Sequence, residues 1–307
     1  MPIMGRLRRE QGGAGPTSLS AVTAGQSGHA GLSKAHTLAQ TRPPPALTSP
    51  LPSRYTDLTG RPRGRPPSLS ARSDGVSLDC YVFFDVDDTL VQWNLTWQDA
   101  FVQVAREAGV ECTAERAVKG LEEAFTGVYQ ECLRKHAPDG ELREFWLEYD
   151  GRILAMLGVD HDLRHHAGRL WDLLQDPKAT QLYPEVPETL RTLTDRGAKL
   201  GIVTGRPVAY PDLDRLGVAH YFAPVLDAFG TRSTKDEGVM FGLAVEAARG
   251  AGRPAWYVGD NYAMDVLGAR AAGLRPILVD RHSTYPAPDC PRVTDLREVA
   301  RIIASDM

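Results

Sequence analysis

Apolar positions along this chain follow two different rhythms. Tyr81-Val82-Phe83-Phe84 is an unbroken apolar run that stops at Asp85-Val86-Asp87-Asp88-Thr89. A short run without polar alternation predicts a strand buried on both faces, the kind found in parallel sheets. Asp85 and Asp87 are then expected to leave the carboxyl end of that strand, where open α/β sheets bind their ligands. Two carboxylates brought to one place favour a cation between them.

Beyond Leu90 the spacing becomes helical. Trp97, Phe101 and Val104; Leu121, Phe125 and Val128; Leu142, Phe145, Trp146, Tyr149 and Ile153; and Leu163, Leu170 and Leu174 predict four successive helices that share a core. Pro138-Asp139-Gly140 and the stretch from Gly158 to Asp160 supply turns between them. Their Trp and Phe residues read as core of this bundle.

From Pro184 the chain alternates. A helix through Val186 to Leu193, ending at Arg196-Gly197, precedes a strand Lys199–Val203 and a helix or turn from Tyr210 to Gly217. Val225 to Phe229 is expected to be a strand, Gly238 to Ala248 a helix, Ala255 to Val258 a strand, Ala263 to Ala272 a helix and Pro276 to Val279 a strand. The fold class expected is α/β: a Rossmann-like parallel-sheet core with right-handed crossovers and an inserted all-helical cap. The division expected is a core of residues 76–93 and 180–307 with a cap of residues 94–179. No internal repeat argues for a solenoid.

Composition changes the picture at the N-terminus. The 307 residues carry a formal net charge of −4, but residues 1–75 hold ten Lys and Arg against Glu10, Asp57 and Asp74, about +7, so a basic segment precedes an acidic body. That segment also holds ten of the 22 prolines and shows no sustained periodicity, which predicts a disordered tail. Its Arg- and Ser-rich, acid-poor composition also fits an organellar transit peptide, without an amphipathic helix, or a translation start further on, near Val76. Pro62-Arg63-Gly64-Arg65-Pro66 has the form of an AT-hook core, but such a motif arises by chance in a biased segment, and nucleic acid is not an expected partner.

Cys80, Cys112, Cys132 and Cys290 are far apart, with neither zinc spacing nor the density of a disulfide framework. They are expected to be reduced, mostly buried thiols of a cytoplasmic protein. No apolar run approaches the roughly 20 residues that cross a bilayer, so no membrane role is expected.

Chemistry-bearing residues recur at predicted strand ends. Ile202-Val203 runs into Thr204-Gly205, the strand near Val225 is followed by Lys235, and Tyr257-Val258 runs into Gly259-Asp260 with Asp265 beyond. The four segments therefore aim at one rim. A calcium loop starting at Asp85 would need Gly at position 90 and Glu at 96, where Leu90 and Thr96 stand. His161, His165 and His166 fall on a predicted cap helix without companion ligands and read as surface residues.

In order and spacing these segments resemble the four motifs of the haloacid dehalogenase superfamily: Asp85-Val86-Asp87-Asp88-Thr89, Thr204, Lys235, and Gly259-Asp260 through Asp265. The resemblance covers roughly residues 80–300. It implies a phosphomonoester hydrolase in which Asp85 is the nucleophile and forms an aspartyl-phosphate, and Asp87, held protonated at first, serves as acid and then base. The second Asp favours phosphatase over dehalogenase. Thr204, Gly205 and Lys235 would bind the phosphoryl group, Mg²⁺ would be held by Asp85, the Asp87 carbonyl and Asp260, and Asp265 would support Lys235 or a metal-bound water.

The helical interval between the first two motifs is similar to that of the subgroup including phosphoglycolate phosphatases. The expected substrate is a small phosphorylated metabolite. Two departures stand out: Lys235-Asp236-Glu237-Gly238 replaces the subgroup's common Lys-Pro-Asp-Pro, and Thr204-Gly205-Arg206-Pro207 is closer to relatives with another cap. Arg206 has two readings, contact with an anionic substrate or a solvent-exposed cation, and stands outside the predicted catalytic set. Two further functions are compatible with the sequence: a phosphomutase passing the phosphoryl group to a sugar, and a non-enzymatic core whose basic tail recruits nucleic acid.

Overall fold

The computed structural model describes residues 77–125 and 127–307. The predicted disordered tail and its Pro62–Pro66 segment lie outside the described residues. Along the chain, β1 (Tyr81–Phe84) and β2 (Val91–Trp93) precede five helices: α1 (Trp97–Glu107), α2 (Ala114–Phe125), α3 (Val128–His136), α4 (Leu142–Met156) and α5 (Leu163–Leu174). Then come β3 (Thr180–Leu182), α6 (Val186–Asp195), β4 (Lys199–Val203), α7 (Tyr210–Arg215), β5 (Phe222–Leu226), α8 (Ala228–Thr231) and α9 (Val239–Gly250). β6 (Ala255–Gly259), α10 (Leu267–Ala272), β7 (Arg275–Val279), β8 (Arg292–Val293) and α11 (Val299–Asp306) complete the order.

Six strands form a parallel sheet in the order β5-β4-β1-β6-β7-β8. β1 is central, with Phe84 level with Ile202 of β4 on one side and Val258 of β6 on the other, and all four of its residues are buried. Alternation along it feeds both faces: Tyr81 and Phe83 join a cluster with Val203, Phe241 and Tyr257, while Val82 and Phe84 join Leu190, Ile202, Val258 and Ile303. Each such aromatic or branched side chain contributes roughly 1.5–3 kcal/mol by leaving water. Gly201 of β4 lies where a Cβ would strike the Phe83 ring, so the close approach of these two strands needs glycine there.

The five helices are inserted between β2 and β3, which pair antiparallel with Val91 opposite Leu182 and Trp93 opposite Thr180. The helices begin on a local signal: Thr96 caps α1 by accepting a hydrogen bond from the Asp99 amide at 3.2 Å. The sequence predicted four helices. Leu121, Phe125 and Val128 read as one repeat, but Val128 starts a new helix beyond Gly127, so α2 and α3 are separate. The core of the insertion is continuous with one sheet face, because Phe145 of α4 meets Phe229 of α8 edge-on at 5.4 Å.

A second correction concerns Val225 to Phe229. The strand begins earlier, at Phe222, and ends at Leu226, because Asp227 caps α8 by accepting from the Gly230 amide at 2.8 Å. Cys80, Cys112 and Cys132 are buried, Cys290 is half-buried, and all four are free thiols. Among the described residues no helix is long and apolar enough to cross a membrane.

Candidate active site

At the carboxyl end of β1 the Asp85 amide still pairs with the Val258 carbonyl at 2.9 Å, which sets Asp85 between the ends of β4 and β6. Lys235 reaches it from a single 3₁₀ turn, Lys235–Glu237, whose start is fixed by a capping box. There the Thr234 amide donates to Glu237 Oε2 at 2.9 Å, and Ser233 Oγ donates to the same oxygen at 2.8 Å. Lys235 Nζ then stands 2.9 Å from Asp85 Oδ1 and 2.7 Å from Asp265 Oδ1. Burial alone would push the lysine pKa down, but Asp265 and Asp85 outweigh it and push it up, so the buried ammonium stays charged.

Asp265 is aimed inward by a widened helical turn, Tyr262–Val266, entered through Asn261, whose side chain accepts from the Met264 amide at 3.0 Å. Its carboxylate is committed within the protein. Oδ1 accepts from Lys235 Nζ, Tyr257 Oη lies 3.0 Å from that oxygen, and Oδ2 accepts from the Asn261 amide at 3.0 Å. A Cβ on Gly259 would collide with this carboxylate, so the glycine before Asp260 is what lets Asp265 close on Lys235.

Asp85, Asp260 and Asp265 each offer a carboxylate oxygen within 4.8 Å of the others, and this is the cluster of potential metal ligands among the described residues. Burial pushes the Asp85 carboxyl upward, Lys235 opposes it, and Asp265 and Asp87 add to the rise. Asp260 is raised well above the ordinary range by burial first, then by Asp265, Asp85 and Asp88. Asp85 Oδ1 is buried and, despite its short ion pair with Lys235, lacks an aligned hydrogen bond. Crowded carboxylates with an unsatisfied oxygen and an oxygen-only donor set fit a hard divalent ion such as Mg²⁺. His161 and His165 are exposed, His166 is half-buried, and none belongs to that cluster.

Asp87 departs from expectation. Burial would raise its carboxyl, but Arg206 holds it down at about 2, by charge and by hydrogen bonds, with Trp93 assisting. The donors around Asp87 thus favour its ionised form, whereas the sequence reading has it protonated for the first step. Arg206 is 7% exposed, so its reading as a solvent-exposed residue is also corrected. Its Nη2 donates to Asp87 Oδ1 at 2.7 Å and its Nε to Oδ2 at 2.9 Å, while Nη1 bonds Asp212 at the start of α7. Trp93 Nε1 donates to Asp87 Oδ1 at 2.8 Å, and the guanidinium lies 5.2 Å from the Trp93 ring centre.

Thr204 follows β4 at the same rim, its amide paired with the Leu226 carbonyl at 3.0 Å and its side chain buried. The next carbonyl, that of Gly205, accepts a hydrogen bond from Tyr129 Oη of α3 at 2.6 Å. The adjacent Gln130 reaches the Lys235 turn, donating to Asp236 Oδ2 at 3.2 Å and Thr234 Oγ1 at 3.4 Å. One helix of the insertion thus touches the turns that carry both Thr204 and Lys235. The sequence-predicted residues converge, and Arg206, Trp93, Tyr129 and Tyr257 join them. Of these four, only Arg206 was visible in advance, through its place directly after Thr204-Gly205. The others are aromatics with core-like spacing, and nothing in their order marks their polar atoms.

The chain resembles several proteins of known name. It is 30% identical over 244 residues to a phosphoserine phosphatase of Thermus thermophilus, covering 71% of this chain and 96% of the relative. It is 30% identical over 245 residues to a glyceraldehyde 3-phosphate phosphatase of Methanopyrus kandleri, covering 73% and 98%. In fold it is similar to a HAD phosphatase from Thermococcus onnurineus, with a TM-score of 0.50 and 22% identity over 73% of this chain and 97% of that one. The magnesium-bound HAD-hydrolase YfnB of Bacillus subtilis aligns with a TM-score of 0.52 and 19% identity over 74% and 99%. Residues 81–273 match the haloacid dehalogenase-like hydrolase family, to which this chain belongs.

Proposed function

We propose that the protein is a Mg²⁺-dependent phosphomonoester phosphatase that cleaves a small phosphorylated metabolite through an aspartyl-phosphate on Asp85. The observation that carries this reading is the Asp85–Lys235–Asp265 chain of contacts beside Asp260, an acidic rim with one buried ammonium against the nucleophile. The two 30%-identical relatives, a phosphoserine phosphatase and a glyceraldehyde 3-phosphate phosphatase, support the substrate class.

In the first step an Asp85 oxygen attacks phosphorus and the ester oxygen leaves. Arrival of the anionic ester beside Asp87 raises the affinity of that carboxylate for a proton, so that it takes one up from solvent and passes it to the leaving oxygen. In the second step Asp87 takes a proton from the attacking water and Asp85 is released. The Thr204 hydroxyl and the Gly205 amide bind phosphoryl oxygens, and Lys235 holds charge against them while Asp265 fixes its direction. Mg²⁺ held by Asp85, Asp260 and the main-chain carbonyl of Asp87 supplies, when bound, the remaining positive charge for those oxygens. The inserted helices act as a cap that closes over bound substrate, since α3 already reaches the turns that carry Thr204 and Lys235.

The test is release of inorganic phosphate from a panel of phosphorylated metabolites with Mg²⁺ present. Stoichiometric phosphate release by the wild type, with no turnover by a folded Asp85→Asn variant, is expected. Full activity in that variant refutes the nucleophile, and transfer to a sugar without phosphate release marks a mutase.

A further inference from the structure

The two oxygens of Asp87 are engaged unequally. Oδ1 accepts from Trp93 Nε1 at 2.8 Å, from Arg206 Nη2 at 2.7 Å and from Arg206 Nε at 3.1 Å, whereas Oδ2 has, among the described residues, only the shared Arg206 Nε at 2.9 Å. A carboxylate oxygen offers about two lone-pair directions, so Oδ1 is saturated and Oδ2 keeps one direction open. The two donor groups are themselves held. Arg206 is clamped on its other side by Asp212 and lies over the Trp93 ring, and Trp93 packs edge-on against Trp97 at 5.5 Å. The carboxylate is therefore locked in rotation, with a single oxygen available for proton transfer.

We propose that Arg206 and Trp93 are positioning residues for the hydrolytic half-reaction, holding Asp87 so that Oδ2 takes the proton of the attacking water. The inference rests on the phosphatase reading given above. In that step the water oxygen forms a bond to phosphorus while the bond between phosphorus and the Asp85 oxygen breaks, its electron pair returning to Asp85. One water proton moves to Asp87 Oδ2, and inorganic phosphate leaves. The resting geometry suits this half-reaction because it already holds the carboxyl group in one orientation with Oδ2 open. The first half-reaction does not need that orientation when the leaving group departs as a stable anion.

An aryl phosphate separates the two halves. With 4-nitrophenyl phosphate the nitrophenolate leaves without a proton, so its release reports the attack by Asp85 and its steady-state rate reports the water step. Full-length protein with Mg²⁺ is mixed rapidly with this substrate, for the wild type, Arg206→Gln, Trp93→Phe and Asp85→Asn. For Arg206→Gln and Trp93→Phe we expect a nitrophenolate burst approaching one per active site, at a rate within about threefold of the wild-type first step. The steady state that follows is expected to fall at least about tenfold in Arg206→Gln and about threefold or more in Trp93→Phe, with phosphorylated protein accumulating in acid-quenched samples.

Burst and steady state slowed in the same proportion would mean that these residues only shape the site, and an unchanged steady state would mean that Asp87 needs neither. Either result overturns the proposal. Trp93→Phe leaves the Arg206 ion pairs in place, so it decides the question if Arg206→Gln does not fold. Turnover by Asp85→Asn refutes the underlying phosphatase mechanism instead, a result distinct from any pattern in the other two variants.

Discussion

Tyr129 donates its hydroxyl proton to the carbonyl oxygen of Gly205 at 2.6 Å, a direct tie between α3 and the turn after β4. The ring is fully buried among Phe125, Phe145 and Tyr149, so no water substitutes for the hydroxyl. Tyr129→Phe leaves a buried carbonyl without this donor and is expected to cost about 1–3 kcal/mol in denaturant unfolding. On the proposed phosphatase reading, KM is expected to rise as the Thr204-Gly205 turn loosens. A variant as stable as the wild type would show that the contact is incidental.

Divalent-ion binding is predicted to be visible without any turnover. Mg²⁺ at about 100 times its Kd stabilises a folded site by roughly 2.7 kcal/mol, which raises the thermal midpoint. Asp260→Asn is expected to lose that response. In chelator the same variant is expected to be more stable than the wild type, because one crowded carboxylate has been neutralised. A Mg²⁺ shift that persists undiminished in Asp260→Asn would remove this residue from the ligand set.

Asp150 of α4 makes a pH-dependent prediction away from the rim. It is 1% exposed, its Oδ1 has no hydrogen-bond partner among the described residues, and burial pushes its carboxyl well above the ordinary range. An acid whose pKa is raised by folding keeps a proton in the native state that the unfolded chain gives up above about pH 4, so its unfavourable effect on stability grows as pH rises from there. Asp150→Asn is therefore expected to unfold at higher denaturant than the wild type at pH 7, with the gap closing near pH 4. A gap that is constant across this range would assign the effect to packing instead.

Arg281, just past β7, fastens the Asp85–Thr89 turn. Its guanidinium lies 3.5 Å from the Tyr183 ring centre, donates to the Thr89 carbonyl at 2.8 Å and pairs with buried Glu185 at 2.6 Å. Arg281→Met keeps much of the stem but strands Glu185 and the carbonyl, and is expected to destabilise the protein by about 3 kcal/mol. Turnover is expected to fall as well, since the Asp85–Thr89 segment is what the arginine braces. Unchanged midpoint and rate together would exclude the bracing role.

The parallel core was legible because its strands are unbroken apolar runs followed at once by polar groups. Asp85, Thr204, Lys235 and Asp260 could be named from order and spacing for the same reason. Boundaries failed where a single polar side chain intervened: Asp227 ends β5 and starts α8, and Gly127 divides what read as one helix. The pairing of Asp87 with Arg206 was hidden because the two lie 119 positions apart. Trp93 and Tyr129 were hidden for a simpler reason. An aromatic that fills a core and one that also spends its N–H or O–H on a catalytic loop have the same hydrophobic signature.

The chain departs for the helices at Trp93 and returns at Thr180, and these two residues face each other across the β2–β3 ribbon. A detour whose two ends are neighbours leaves the strand order of the sheet unbroken, although its core packs on one face of that sheet. The helical segment can be lengthened, shortened or exchanged over evolutionary time while β1 keeps both of its partners. The architecture thus separates change in the helices from change in the strands that carry the acidic rim. In the laboratory it marks Trp93 and Thr180 as the seam for grafting a different lid onto the same chemistry.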